Sequence, residues 1–174
     1  MIDVTDLKAE PVAILLSHCR SADQDLLTAF QGLHDEQLDQ QFEMGPGSIR
    51  ATYTHNLGAL RGWADVYAER PSRAWLGDEG PFSIDQLTQL TGELHEDWAR
   101  IAGRFPLATV IQRERAGSIR RFTRAHILVH VTTHSMHHRA QIINMLRHVG
   151  VGDLPTGSVM NWVDREAFGP STGR

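Results

Sequence analysis

The stretch Thr123-Arg-Ala-His126-Ile-Leu-Val-His130-Val-Thr-Thr-His134-Ser-Met-His-His138-Arg-Ala-Gln141 places histidine at every fourth position, four times in succession. On an α-helix a step of four turns successive side chains by only about 40°, so these imidazoles share one stripe. That is how a helix offers two nitrogens to a single ion, and His134 with His138 is the sharpest such pair. No breaker interrupts the tract from about Thr123 to His148, and Gly150 is placed to cap its carboxyl end, so the stripe sits on one long helix.

Three further tracts carry apolar residues at helical spacing. The first runs from Pro11 to about Leu33 through Val12, Leu15, Leu16, Cys19, Leu26, Leu27 and Phe30. A second follows Met44-Gly-Pro-Gly47, with Ser48 as N-cap, and runs to about Arg70 before Pro71; His55 lies inside it. The third opens at Ser83, spaced to Gln86 as in a capping box, and ends near Phe105 before Pro106. Between it and the histidine helix, Thr109 to Ile111 and Ile119 to Phe122 flank Gly117-Ser118 and read as a hairpin. The tail from Val151 holds one short helix over Val159 to Phe168. Four amphipathic helices bury their stripes most economically as a four-helix bundle, so the fold class is all-α, with a long connection and a short extra helix near the C-terminus. At 174 residues the chain suits a single domain, 1–174, with a full core.

Composition narrows the function. A formal charge of −4 argues against a general nucleic-acid binder, whose affinity rests on a clustered basic surface. The basic run Arg113 to Arg124 is the local exception, and its alternation with apolar residues reads as an exposed strand or loop. No window reaches the roughly 18 apolar residues of a membrane span, and Met1-Ile-Asp-Val-Thr-Asp6 has neither a basic leader nor an apolar run. Cys19 is the one cysteine and reads as a small buried apolar residue, compatible with a reducing cytosol. A cytoplasmic protein without membrane or nucleic-acid partners is expected.

Two motifs in this order, Gly47-Ser-Ile-Arg-Ala-Thr-Tyr-Thr-His55 followed by Leu60 and Trp63, and His130-Val-Thr-Thr-His134-Ser-Met-His-His138-Arg-Ala-Gln141, resemble the DinB superfamily of four-helix metalloproteins. The resemblance covers most of the chain and implies a bundle with a non-simple helix order. It further implies a divalent metal held by one histidine of the second tract and two of the last, which by position are His55, His134 and His138. Zinc or nickel is the expected ion, with iron or manganese as alternatives. The superfamily motif ends His-His-Arg-Gly-Gln; here Ala140 replaces the glycine, a change that touches no ligand. Many members are dimers, which implies a homodimer, and some relatives move low-molecular-weight thiols onto electrophiles.

Three neutral imidazoles leave coordination positions open, as in a catalytic rather than a closed structural site. The glutamate of a His-Glu-x-x-His protease is missing, since Ser135, Met136 and His137 separate the pair, so peptide hydrolysis is disfavoured. A metal with open positions stabilises the deprotonated form of a thiol as well as of water. Three functions follow: a metal-dependent transferase joining a low-molecular-weight thiol to a small electrophilic substrate, a metal-dependent hydrolase with His130 or His137 as base, or a non-catalytic metal-binding stress-related protein. The opposing alternative is three core histidines satisfied by hydrogen bonds, with no metal. His137 is placed behind the ligands or at the pocket rim, and His130 either lines the same cavity or is a buried, hydrogen-bonded histidine. Arg139 either orients an anionic substrate or pairs with a carboxylate of another helix. His126 reads as solvated near the helix entrance, His18, His34, His95 and His148 as surface or capping residues, and Tyr53, Trp63, Tyr67 and Trp98 as core, with the wall of a substrate pocket as their alternative.

Overall fold

A computed structural model describes residues 10–115 and 117–168; the stretch Met1 to Asp6 lies outside them. The elements are α1 (Pro11–Phe30), α2 (Asp35–Leu38), α3 (Ile49–Tyr67), a 3-10 turn (Leu76–Asp78), α4 (Ile84–Ile101), β1 (Val110–Arg115), β2 (Ser118–Thr123), α5 (Arg124–His148) and α6 (Val159–Phe168). Three of the long helices, α3, α4 and α5, start where a side chain satisfies a first-turn amide. Ser48 Oγ accepts from the Ala51 amide at 3.1 Å. Ser83 and Gln86 form the reciprocal capping box the spacing predicts. At Thr123 the same box is closed by His126, whose Nδ1 accepts from the Thr123 amide at 3.1 Å. His126 is therefore exposed, as expected, yet has a local structural task.

The helices α1, α3, α4 and α5 form the bundle, with α1 and α3 each flanked by α4 and α5. Consecutive helices α1 and α3 thus lie on a diagonal, as do α4 and α5. Direction follows from the contacts. On the α3–α4 face Tyr53 Oη meets Thr91 Oγ1 at 2.9 Å, Trp98 Nε1 donates to the Leu60 carbonyl, and Tyr67 Oη donates to the Ala102 carbonyl at 2.6 Å. Positions rise together along both helices, so α3 and α4 run parallel. Against α5 the order reverses, because Trp63 meets His130 while the Tyr67 carbonyl accepts from Arg124. Parallel α3 and α4 need a connection that returns along the bundle, which is why residues 68–83 form a long linker between them. One long connection was expected; the link from α1 to α3 is long as well and carries α2, whose four residues are too few for periodicity to reveal.

Between α4 and α5 the hairpin pairs β1 with β2 antiparallel, Ile111 opposite Phe122 and Arg113 opposite Arg120. Gly117 takes φ 74° in its turn, where a side chain would be strained. Ile111 is buried, so this face of the hairpin lies on the bundle. No described helix is long and apolar enough to cross a membrane.

The bundle interior also contains a charged cluster. Asp23 on α1 is 0% exposed and receives Arg139 Nη1 from α5 at 3.2 Å, while His95 Nε2 of α4 lies 2.8 Å from its other oxygen. Burial opposes ionisation of Asp23, but the guanidinium and the imidazole outweigh it and hold its carboxyl below the ordinary range. Arg139 also reaches the Cys19 carbonyl and thiol, and burial pushes that thiol up. His95 and His18 therefore depart from the surface positions expected of them. His95 is locked on Asp23, and His18 is buried with its ring edge-on to Trp162 of α6. Periodicity could not show this, because polar residues on an apolar stripe look solvated until their partners are known.

Removing one member of a buried ion pair strands the other charge and costs about 3–5 kcal/mol. Asp23→Ala is therefore expected to lower the urea-unfolding free energy by that amount, whereas His95→Gln, which leaves the Asp23–Arg139 pair intact, costs clearly less. Equal and small losses in both variants would contradict the cluster's structural role.

Candidate metal centre

His55 enters from the middle of α3, and His134 and His138 from successive turns of α5, because the two helices run antiparallel in contact. Each of the three rings offers a nitrogen, and these atoms all lie within 4.8 Å of one another. Ring centroids are 4.7 Å apart for His55 and His138, 5.4 Å for His55 and His134, and 4.4 Å for His134 and His138. Tetrahedral zinc with bonds of about 2.0–2.1 Å sets its ligand nitrogens roughly 3.3 Å apart, a distance that small ring rotations supply.

Electrostatics agree with a metal set. His134 is lowered to about 4, first by burial and then by the neighbouring imidazoles of His138, His55, His130 and His137. Burial likewise lowers His55 and His138, the latter against the hydrogen bond that His138 donates to Gln141. All three are thus neutral at pH 7, the form that ligates. Among the described residues no carboxylate belongs to the group, so a dication there would meet only imidazole lone pairs.

One ligand is oriented from its own helix. His138 Nδ1 lies 2.8 Å from Gln141 Oε1; the nitrogen donates to the amide oxygen, which leaves Nε2 with its lone pair toward the other rings. Gln141 is held in turn by the Met44-Gly-Pro-Gly47 turn, where Gly45 has φ 52° and a Cβ would stand 2.5 Å from Gln141 Oε1. The positive φ favours glycine here, and a side chain would also displace the Gln141 amide from its place beside His138.

These features, a bundle of four helices and a histidine triad drawn from α3 and α5, match a known family. The sequence model of the DinB family aligns with residues 5–163. The chain belongs to the DinB family. A comparison with curated proteins returns no match.

Within this DinB fold the remaining residues singled out from the sequence fall into distinct places. His130 is exposed one turn before His134, with ring centroids 5.4 Å apart, and meets Trp63 at 4.9 Å. It is not the buried, hydrogen-bonded histidine that was the alternative for it. His137 is exposed beside His138 and has no hydrogen bond among the described residues. Arg139 points away from the triad to Asp23, the pairing alternative rather than substrate contact. Of the four aromatic residues read as core, Tyr53, Tyr67 and Trp98 are buried, but Trp63 is only half-buried and walls a cleft of about 650 Å³ together with His55, His134 and His130.

Two residues escaped the sequence reading. Trp75, 42% exposed, stands edge-on to His55 at 5.5 Å and roofs the site. It can do so because Gly58 lies beneath it; a Cβ there would approach the indole to 2.9 Å. Nothing local marks Trp75 as functional, since it sits in an irregular connection. Gln141 did carry a signal, because a residue three positions after His138 shares its helix face.

Loss of a residue that orients a metal ligand lowers metal affinity about 10–100-fold. Gln141→Leu is expected to weaken zinc binding within that range in a chelator competition while leaving the far-ultraviolet circular dichroism unchanged. Unaltered affinity would show that His138 needs no such support.

Proposed function

We propose that the protein is a metal-dependent transferase that conjugates a low-molecular-weight thiol to a small electrophile, with His55, His134 and His138 as the ligands of a divalent ion, zinc or nickel before iron or manganese. The observation that carries this reading is the combination of three neutral imidazoles, drawn together with no carboxylate in the group among the described residues, with an open, aromatic-walled cleft. The ion supplies Lewis acidity that favours the deprotonated form of a bound thiol or water.

The rest is the work of the chain's own residues. A thiol, with a pKa near 8.5, starts far closer to ionising at pH 7 than water does, which favours a thiol. Trp75 and Trp63 shield the histidines and offer apolar faces to an electrophile, while Gln141 fixes the tautomer of His138. A hydrolase is the second reading, and the exposed ring of His130 beside His134 is what favours it, as a group on the same cleft able to accept a proton.

Further parts of the proposal rest on separate observations. A homodimer is supported by an apolar strip in which Leu15, Leu107 and Val129 lie side by side, Val129 being 59% exposed. A reducing, cytoplasmic location is supported by Cys19, a buried free thiol. Organisation as one domain is supported by the span of the family match and by the common core of the long helices.

The test uses untagged protein, a panel of thiols and electrophiles, and added divalent metal. Metal-dependent conjugate is expected with at least one pair, abolished by His134→Ala and retained by His137→Gln. Ester or amide hydrolysis that His130→Gln removes would establish the second reading, and failure of every pair would contradict the first.

A further inference from the structure

The cleft that reaches the histidines has a charge the mechanism above does not use. Arg113 and Arg120 are directly opposite each other on β1 and β2. Directly opposed side chains leave a sheet on the same face with Cβ atoms about 4.5–5.5 Å apart, and like charges so placed destabilise the pair. Alternation sends both to the face of buried Ile111, toward the bundle, and sends Arg121 to the other face.

Among the described residues, neither Arg113 nor Arg120 has a carboxylate within ion-pair distance. Their neighbours differ. Arg73, on the same cleft, is neutralised by Asp65, and Arg61 by Glu79 at 2.5 Å. Glu114 borders the cleft as well but forms no ion pair with either arginine. The guanidinium of Arg113 instead lies 6.0 Å from the ring centroid of Trp63, a cation–π contact that holds it over the cleft wall. A second hollow of about 260 Å³ adjoins the first, and the two share Trp63, Arg113, Arg120 and His130. The arginine pair thus stands between an outer hollow and the cleft that contains His55 and His134.

We propose that Arg113 and Arg120 form an anion clamp, which takes the carboxylate or phosphate group of a ligand whose reactive end lies at the three histidines. The fork of a guanidinium matches an oxyanion bidentately, and two forks on one sheet face enclose a single dianion. That the clamped molecule is the thiol or its acceptor rests on the function proposed above; the clamp itself stands on the hairpin geometry. It assigns the substrate class, a small anion with an apolar body that lies along Trp63, and it gives the basic run a use other than nucleic acid.

The decisive experiment has two arms. In the first, pyrophosphate is titrated calorimetrically into the metal-stripped full chain. Binding is expected in the wild type, weakened about tenfold or more by Arg113→Gln or Arg120→Gln and unchanged by Arg121→Gln, since each charge-assisted contact is of that order. No binding to the wild type, or equal weakening by Arg121→Gln, overturns the clamp. In the second arm, the cobalt-loaded protein is titrated with mercaptosuccinate and with uncharged 2-mercaptoethanol while the cobalt absorption is followed. The dicarboxylate thiol is expected to act at roughly tenfold lower concentration, a preference that Arg113→Gln removes. A preference that survives both arginine substitutions also overturns the clamp. No cobalt response to either thiol overturns the thiol reading instead, and the pyrophosphate result alone then decides the clamp.

Discussion

The antiparallel packing of α3 on α5 is the constraint on which the rest of the molecule depends. His55 faces His138, Trp63 faces His130, and the Tyr67 carbonyl faces Arg124, so a single register sets three successive levels of contact. A slip of one helical turn displaces one helix by about 5.4 Å along the other. That parts His55 from His138, so the set His55, His134 and His138 belongs to this one register.

Two buried arginines of α5 fix its position, one against α3 and one across the bundle to α1. Arg124 at the helix start donates to the Tyr67 carbonyl at 2.8 Å and pairs with Glu69 at 2.5 Å, which fixes the near end against α3. Arg139, next to the last ligand, points the opposite way to Asp23 of α1. The segment His138-Arg-Ala-Gln141 therefore serves three directions at once. His138 completes the triad, Arg139 ties α5 across the bundle, and Gln141 turns back to orient His138. Rigid support of this kind is what keeps ligands converged before an ion arrives.

Much of the fold is legible in the sequence because it rests on local rules. The caps at Ser48 and Ser83, the hairpin around Gly117 and the short helix from Val159 are all set by residues within a few positions of one another. Helix order is different. Periodicity shows that four helices bury a stripe but not that α1 faces α4 and α5 across long connections, and the non-simple order came only through the resemblance to DinB proteins. In the candidate site, the His134 and His138 pair is visible from spacing alone. His55 needed the second motif, since nothing within α3 distinguishes it from a core histidine. Trp75, Arg113 and Arg120 reach the cleft from irregular or hairpin segments, and their nearness to the triad is a purely tertiary fact. The same limit explains His18 and His95, whose burial depends on Trp162 and Asp23 in distant parts of the chain.

Convergence of three imidazoles on one ion is the centre of this account, and X-ray absorption spectroscopy of the untagged, zinc-loaded protein tests it most directly. The account predicts a shell of three imidazole nitrogens with one further light, exchangeable ligand, reduced to two imidazoles by His55→Ala. A sulfur ligand, or a shell that His55→Ala leaves unchanged, would contradict it.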